Sequence, residues 1–173
     1  MPDLDNSICE QRLFDSFFKK NAKGLRDFLF FKFGDMPLAE DIVQDSFVKL
    51  WENCANTPLE KAKSFVYTVA MNIGNSAMRH QQVKFKYKDY ISQRKHDVTN
   101  ESPEFVILEK EYMETFKKAL AMLSDRQREV FLLSRIEKKT YKEIAEISNV
   151  SVKAIEKLMH KALLKLRKTI GDV

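Results

Sequence analysis

A basic segment near the end of the chain carries polar side chains suited to binding a nucleic acid. A set of polar side chains recurs there at helical spacing: Ser151, Lys153, Glu156, Lys157, His160, Lys161 and Lys165. Ammonium groups neutralise phosphates, and a helix whose first side chains reach base edges can read a major groove. We predict that Lys153 and Glu156 contact bases, and that the later lysines hold phosphates. A solvated face of an ordinary amphipathic helix is the alternative.

A helix-turn-helix is predicted to position this segment. Thr140 and Glu143 form a T-x-x-E capping box for a first helix. Asn149 stands where a tight turn needs a residue that tolerates the left-handed conformation. Ser151 then caps a second helix. Its apolar residues recur at three- and four-residue steps and predict a buried face: Ile155, Leu158, Met159, Ala162, Leu163, Leu166 and Ile170.

Composition limits the class of protein. The chain has 173 residues, 44% hydrophobic and 32% charged, which is typical of a helix-rich globular protein of one or two small domains. A net charge of +5 favours a polyanionic partner. No apolar run approaches the ~20 residues of a membrane helix, and the N-terminus does not resemble a signal peptide. We therefore expect a cytoplasmic protein without membrane insertion.

The cysteines and histidines do not suggest a reactive or metal site. Cys9 and Cys54 lie far apart without C-x-x-C spacing, so we expect them to be reduced and free of metal. His80, His96 and His160 are scattered. No pattern indicates an enzyme, a metal site or a bound cofactor.

The N-terminal half begins with apolar residues at helical spacing, which predict one helix or a pair ending at Gly34. Asp35 can cap the next helix, and its inward residues are predicted to be Ile42, Val43, Phe47, Leu50 and Trp51. Asp41, Gln44 and Asp45 group on another side of that helix. We interpret this acidic strip as a docking face for a basic protein partner. A solvated strip near a helix N-terminus is the alternative.

A third helical pattern, at residues 64–73, runs into a tract at residues 80–90 where lysines alternate with aromatic rings. The tract contains Lys84 and Lys86. Rings stack on bases and lysines meet phosphates, so the tract suits single-stranded nucleic acid. An amphipathic helix end with snorkelling lysines explains the tract equally well.

The segment Ser92–Pro103 has no apolar periodicity and is predicted to be a linker. After it, Pro103 opens a helix whose inward residues are predicted to include Tyr112, and Ser124 with Gln127 forms a further capping box. The predicted fold is all-α, with two small helical domains joined by a flexible linker. The domains are residues 8–91 and 104–173, with a linker at 92–103, and the C-terminal domain carries the helix-turn-helix.

Two stretches carry a resemblance to a known family. The C-terminal stretch LSDRQREVFLLSRIEKKTYKEIAEISNVSVKAIEKLMHKAL resembles the last domain of bacterial sigma factors and also the output domain of LuxR-type regulators. The N-terminal half decides between them, because AEDIVQDSFVKLWEN and SFVYTVAMNIGNSAMRHQQ are similar to the core-binding and promoter-melting helices of extracytoplasmic-function sigma factors.

The resemblance implies roles for particular residues. Asp41, Gln44 and Asp45 would grip the clamp helices of the RNA polymerase β′ subunit, and residues 151–165 would read the −35 element of promoter DNA as duplex. The unpaired strand of the −10 element would be held by Phe65, Tyr67, Asn72, Asn75, Arg79, Lys84 and Lys86. The resemblance also implies an anti-sigma factor as a partner. Family members often have Trp near Phe65 and Gly near Asn149, and a more basic tract than MRHQQ.

Two rival functions remain at this point. A stand-alone LuxR-like transcriptional regulator would use the same last domain without polymerase. A helical protein-interaction adaptor would have no DNA function at all.

Overall fold

The computed structural model describes residues 7–80 and 103–171, and the prediction of an all-α fold is confirmed there. These residues form seven α-helices: α1 (Gln11–Phe33), α2 (Met36–Glu52), α3 (Leu59–His80), α4 (Pro103–Ala121), α5 (Asp125–Arg135), α6 (Tyr141–Ser148) and α7 (Val152–Ile170). A short 3-10 turn, Cys54–Asn56, connects α2 to α3. Lys84, Lys86 and most of the predicted linker lie outside the described residues, and the domain boundaries stay a prediction.

The break between the first two helices follows from two adjacent residues. The first segment, for which the sequence predicts one helix or a pair, forms the single helix α1. It ends at Gly34, whose φ of 75° is the left-handed conformation that glycine adopts without cost. Asp35 then begins α2, and its carboxylate accepts a hydrogen bond of 3.1 Å from the backbone N–H of Leu38. The predicted stop and cap are both confirmed.

Helices α1 to α3 form an N-terminal unit around an aromatic and aliphatic core. Phe28, Leu29 and Leu50 are fully buried in it. Helices α1 and α3 approach closely at Gly74, where an added Cβ would lie 2.2 Å from the ring of Phe33. A side chain at position 74 would therefore force the two helices apart.

Helices α4 to α7 form a C-terminal unit around the inner side of α7, where Ile155, Met159 and Leu166 are buried. The guanidinium of Arg128 on α5 is also buried. It donates hydrogen bonds to the carbonyl oxygens of Leu120 and Leu123, at 2.9 and 3.2 Å. These bonds satisfy backbone groups at the end of α4, where a helix leaves its last carbonyls without partners.

The two units pack against each other, α1 on α5 and α3 on α6. Lys32 of α1 and Glu129 of α5 form a buried ion pair with a separation of 3.2 Å. Arg128 extends the contact by donating to the carbonyl oxygen of Lys32 at 3.2 Å. The rings of Phe31 and Phe116 meet edge to face with centroids 6.1 Å apart. The sequence did not predict this interface.

Some apolar residues that were expected to face inward are exposed. Trp51 is 43% exposed and Tyr112 is 64% exposed. Each helix also buries apolar residues, such as Leu50 on α2 and Leu120 on α4, so periodicity alone assigned Trp51 and Tyr112 wrongly. Each side chain is covered only in part by a neighbouring helix: Trp51 contacts Phe14 of α1, and Tyr112 lines a depression with Leu163 of α7.

The expectation of reduced cysteines is wrong for this structure, because Cys9 and Cys54 form a disulfide. Their Cα atoms lie 5.1 Å apart although 45 positions separate them in sequence. The antiparallel packing of α1 and α2 brings the start of the first helix to the end of the second. Sequence spacing could not show this proximity. None of the described helices has the length and apolarity that a membrane crossing needs.

Candidate nucleic-acid and protein interfaces

The helix-turn-helix is formed by α6 and α7, and its predicted local signals are confirmed. The backbone N–H of Thr140 donates to the carboxylate of Glu143 at 2.8 Å, and the N–H of Glu143 donates back to the Thr140 hydroxyl at 3.3 Å. The first of these bonds lowers the pKa of Glu143. Asn149 ends α6 with φ 51° and ψ 49°, in the left-handed region. The start of α6, its end and the turn that follows therefore depend on three local residues: Thr140, Glu143 and Asn149.

Helix α7 presents its polar residues to solvent. Ser151 caps it by accepting a hydrogen bond of 3.2 Å from the N–H of Ala154. The predicted DNA-contacting residues of this segment are all exposed: Ser151, Lys153, Glu156, Lys157, His160, Lys161 and Lys165. Because the opposite side of α7 is buried in its own unit, the helix is held rigidly while its lysines remain accessible. This arrangement suits insertion into a major groove.

The acidic strip on α2 consists of Asp41, Gln44 and Asp45, and all three residues are exposed. Between them on the helix, Ile42 and Val43 are buried and hold α2 on the core. The strip is therefore a fixed outer face of α2.

An apolar patch that sequence reasoning missed lies beside the acidic strip. We define it as Phe14 and Phe18 of α1 with Val48 and Trp51 of α2, which line one shallow depression together with Gln44. Phe18, Val48 and Trp51 are all exposed large apolar side chains. The ring of Trp51 meets that of Phe14 edge to face with centroids 5.0 Å apart. A rigid apolar patch bordered by carboxylates is typical of a protein-binding surface.

Helix α3 carries the residues predicted to hold unpaired DNA, and the structure separates them. Asn72, Asn75 and Arg79 are exposed and Phe65 is half-buried. Their spacing places these four along one side of the helix. Tyr67 lies on the other side and is 1% exposed.

The environment of Tyr67 belongs to both units. Its hydroxyl donates a hydrogen bond to the carboxylate of Glu137, which follows α5. The ammonium of Lys139 lies 4.1 Å from the centre of the Tyr67 ring. Burial, together with the neighbouring Glu137 charge, raises the pKa of Tyr67. Burial and the nearby Lys63 lower the pKa of Lys139 to about 8. In this arrangement Tyr67 is covered by the C-terminal unit and is not accessible to a base.

An interdomain cleft of about 310 Å³ lies between α3 and the helix-turn-helix. Asn72 and Asn75 line it from one side, and Ile155 and Leu158 of α7 line it from the other. Two of the predicted strand-holding residues therefore face the C-terminal unit.

Two family models match the chain, in the order expected. The model for Sigma-70 region 2 matches residues 17–83, and the model for Sigma-70, region 4 matches residues 113–166. The first spans most of α1 and all of α2 and α3, and the second spans most of the C-terminal unit, including α6 and most of α7. The RNA polymerase sigma factor YlaC of Bacillus subtilis is 25% identical over 161 residues, 90% of this chain and 91% of that protein. The ECF RNA polymerase sigma factor SigW of Bacillus subtilis is 26% identical over 149 residues, 81% and 79% of the two chains.

The chain belongs to the extracytoplasmic-function class of sigma factors. The ferric citrate uptake sigma factor FecI of Escherichia coli is 26% identical to this sigma factor over 150 residues. The aligned segment is 87% of this chain and 86% of FecI. Apart from Phe14 of the apolar patch, which precedes the first match, the surfaces described above lie within the segments that the two family models match.

Two solved structures share the fold, one of them that of the sigma factor RpoE. RpoE of Bartonella quintana, in complex with the anti-sigma factor NepR, superposes with a TM-score of 0.67 at 24% identity, covering 91% of this chain and 96% of that one. CnrH, in complex with the cytosolic domain of CnrY, gives a TM-score of 0.65 at 19% identity over 92% and 88% of the two chains. The helical architecture of both units is therefore that of sigma factors.

Proposed function

We propose that this sigma factor directs core RNA polymerase to promoters through three separate surfaces, each with its own role. The acidic strip docks on the polymerase, α3 holds the unpaired −10 strand, and α7 reads the −35 duplex. Polymerase supplies the chemistry of transcription, so the sigma factor needs no catalytic residue of its own. The observation that carries this proposal is the separation of charge: exposed carboxylates on α2, and exposed lysines on α7.

Docking on the β′ clamp helices is assigned to the acidic strip together with the apolar patch. Asp41 and Asp45 offer carboxylates to a basic partner and steer the encounter. Trp51 and Phe18 offer apolar area that is already fixed by the rings beneath them. Fixed aromatic side chains bind with little loss of conformational freedom, so this pair of surfaces supports both association rate and affinity.

Capture of the −10 strand is assigned to the exposed side of α3. Phe65 offers a ring for stacking, Asn72 and Asn75 offer amides to base edges, and Arg79 offers charge to phosphate. Lys84 and Lys86, outside the described residues, would extend this path. Tyr67 would join it only after the C-terminal unit moves away from α3.

Reading of the −35 element is assigned to α7. Lys153 and Glu156, in its first two turns, lie where side chains of a recognition helix reach base edges. Lys157, Lys161 and Lys165 would hold phosphates, with Ser151 and His160 at the flanks of the contact. We also propose that the sigma factor acts in the cytoplasm and that an anti-sigma factor regulates it, as NepR is found bound to RpoE in the solved complex.

The docking assignment is tested with Asp41→Arg and a matched control. Asp41→Arg reverses the charge of the acidic strip, and Glu60→Arg makes the same change at an exposed position on α3. We expect Asp41→Arg to weaken binding to core polymerase by at least about tenfold, because a cation replaces an interfacial carboxylate. Glu60→Arg should bind like the parent, and both variants should keep the parent's helical circular dichroism.

Unchanged polymerase affinity of a folded Asp41→Arg protein would remove the docking assignment. Equal weakening by both variants would show that net charge, and not this strip, governs the association.

A further inference from the structure

We propose that Cys9 and Cys54 form a reversible thiol–disulfide site that responds to the redox state around the protein. The closed disulfide keeps the docking face, which is the acidic strip together with the apolar patch, in one ordered conformation, and its reduction makes that face less ordered. The inference rests on the proposed docking role of the acidic strip and apolar patch, and it adds a covalent control to that role. The chain contains two cysteines, so within one molecule each has a single possible partner.

The disulfide joins, at one end, the two helices that carry the docking face. Cys9 lies in the turn that precedes α1, and Cys54 lies in the 3-10 turn that follows α2. The apolar patch begins close to both ends, because Phe14 is in the first two turns of α1 and Trp51 is in the last turn of α2. The edge-to-face contact of these two rings, with centroids 5.0 Å apart, is therefore next to the covalent link.

Besides the disulfide, the contacts of the Phe14 ring with Trp51 and Phe47 hold the start of α1 on α2. Among the residues that the structure describes, the N-cap residue Glu10 makes no capping bond through its side chain. The turn itself is held by local bonds, from the N–H of Cys9 to the Ser7 hydroxyl and from the N–H of Glu10 to the Ser7 carbonyl. Ile8 is fully buried and anchors the turn by one apolar side chain. A helix start without a cap frays readily, so loss of the disulfide would loosen the first turns of α1.

The chemistry is thiol–disulfide exchange with a small-molecule disulfide such as glutathione disulfide. The thiolate of one cysteine attacks that disulfide, forms a mixed disulfide and releases one small thiol. The second cysteine, as thiolate, then displaces the other small thiol and closes the Cys9–Cys54 bond. Two protons and two electrons leave the protein, and the small disulfide becomes two thiols. Both cysteines are partly exposed, so the exchange can occur in the folded protein.

The proposed cellular setting makes this bond a control element. Reducing compartments keep thiols reduced, and disulfides found there are usually transient and redox-sensing. A sigma factor that works with polymerase in the cytoplasm would lose the bond under reducing conditions and gain it under oxidative stress. The oxidised form holds Phe14 against Trp51 and presents the docking face already ordered, whereas the reduced form must order it on binding.

The test compares the sigma factor oxidised by glutathione disulfide with the same protein reduced by dithiothreitol, each freed of reagent before it meets core polymerase. Alkylation followed by mass spectrometry reports whether the thiols are blocked. We expect about tenfold tighter polymerase binding by the oxidised form. Its melting temperature should be higher by about 10 °C, because the bond closes a loop of 45 positions in the unfolded chain.

The double variant Cys9→Ser/Cys54→Ser is the matched control. It should bind like the reduced parent under both treatments and should show no change in melting temperature between them. Asp41→Arg is the second control, because it tests the docking face without touching the cysteines.

Two outcomes would overturn the proposal. If alkylation shows the bond formed and broken while polymerase affinity stays the same, the disulfide only stabilises the fold. If both thiols remain alkylatable after oxidation, no bond forms. Failure of the docking role itself is recognised separately, since Asp41→Arg would then bind polymerase normally while the melting temperature still responded to redox treatment.

Discussion

The two helices proposed to contact DNA, α3 and α7, differ in how much of their surface is exposed. The basic side of α7 is supported from behind by its own unit, and its lysines are exposed. Helix α3 belongs to the N-terminal unit but also packs against α6 of the C-terminal unit. Its Tyr67 is covered by Glu137 and Lys139, and its Asn72 and Asn75 line the interdomain cleft. The proposed reading of a duplex by α7 would therefore need no rearrangement of this structure, whereas full access to α3 needs the two units to separate.

A few contacts between the two units therefore determine the free energy needed to expose α3. The ion pair of Lys32 and Glu129 is buried, so removal of one partner leaves an uncompensated charge. The pair of Lys61 and Glu146 also joins the two units, at 3.2 Å, but both side chains are exposed. Exposed pairs contribute little to stability. The buried pair is the contact to change first.

The largest expected effect comes from Lys32→Met. Methionine keeps much of the volume of the side chain but leaves Glu129 buried without its cation. We expect a loss of about 3 kcal/mol in the free energy of unfolding. Urea unfolding monitored by circular dichroism measures the loss. Because the lost contact joins the two units, small-angle scattering should also show an increased radius of gyration.

A double variant, Lys32→Met/Glu129→Met, sharpens this result. Replacing a whole buried ion pair by apolar residues is often neutral or stabilising. Ser148, which donates a 2.8 Å hydrogen bond to Glu129, is partly exposed and can bind water instead. Stability should return to within about 1 kcal/mol of the parent. If the double variant were as unstable as the single one, packing and not the uncompensated charge would explain the loss.

Local features of the fold could be predicted from the sequence. The capping residues Asp35, Ser124 and Thr140, and the left-handed turn at Asn149, depend on neighbours within a few positions, and the structure places each as expected. The exposed acidic strip and lysines also follow from helical periodicity, because a residue's side of a helix is fixed by its spacing.

The contacts that cover α3 could not be predicted in the same way. Lys32 and Glu129 are 97 positions apart, and Tyr67 and Glu137 are 70 apart. No local pattern records which distant helix will lie above a residue. The disulfide was missed for the same reason. Trp51 was assigned to the core because periodicity shows the apolar side of a helix but not how far its neighbours extend over it.

An intermediate effect, on DNA binding, is expected for a variant of α7, whose basic side is already exposed. Lys157→Ala should weaken binding of the reconstituted holoenzyme to many −35 duplexes alike, by about eightfold at 0.1 M salt, because one phosphate contact is lost. The slope of log affinity against log salt should become shallower by about one. Fluorescence anisotropy of labelled duplexes over a range of salt measures both quantities.

Two further variants test whether the effect of Lys157→Ala is specific to phosphate binding by α7. Glu156→Ala should change the preferred base sequence with little change in the salt slope, because Glu156 is assigned to base reading. Lys32→Met should leave duplex affinity as in the parent, since α7 is already open. If Lys32→Met changed duplex affinity as much as Lys157→Ala, the two surfaces would not be independent.

The smallest expected effect concerns Lys139, which lies over the Tyr67 ring and is one of the C-terminal residues that cover α3. Its pKa is about 8 in the folded protein against 10.5 for an ordinary lysine, with Lys63, Glu137 and Glu143 as the charged neighbours that act on it. Between these two pH values the unfolded chain binds more protons than the folded one, so Lys139 makes stability rise with pH.

Comparison with Lys139→Met isolates this contribution, because the variant keeps the aliphatic stem over the ring and removes the titrating amine. From pH 7 to pH 9.5 the free energy of unfolding of the parent should gain about 1 kcal/mol relative to the variant. Above pH 10 both proteins should lose stability, because the raised pKa of Tyr67 keeps its proton in the folded state while the unfolded tyrosine ionises. A constant difference across the range would mean that Lys139 titrates normally and that the cover over Tyr67 is open to water in solution.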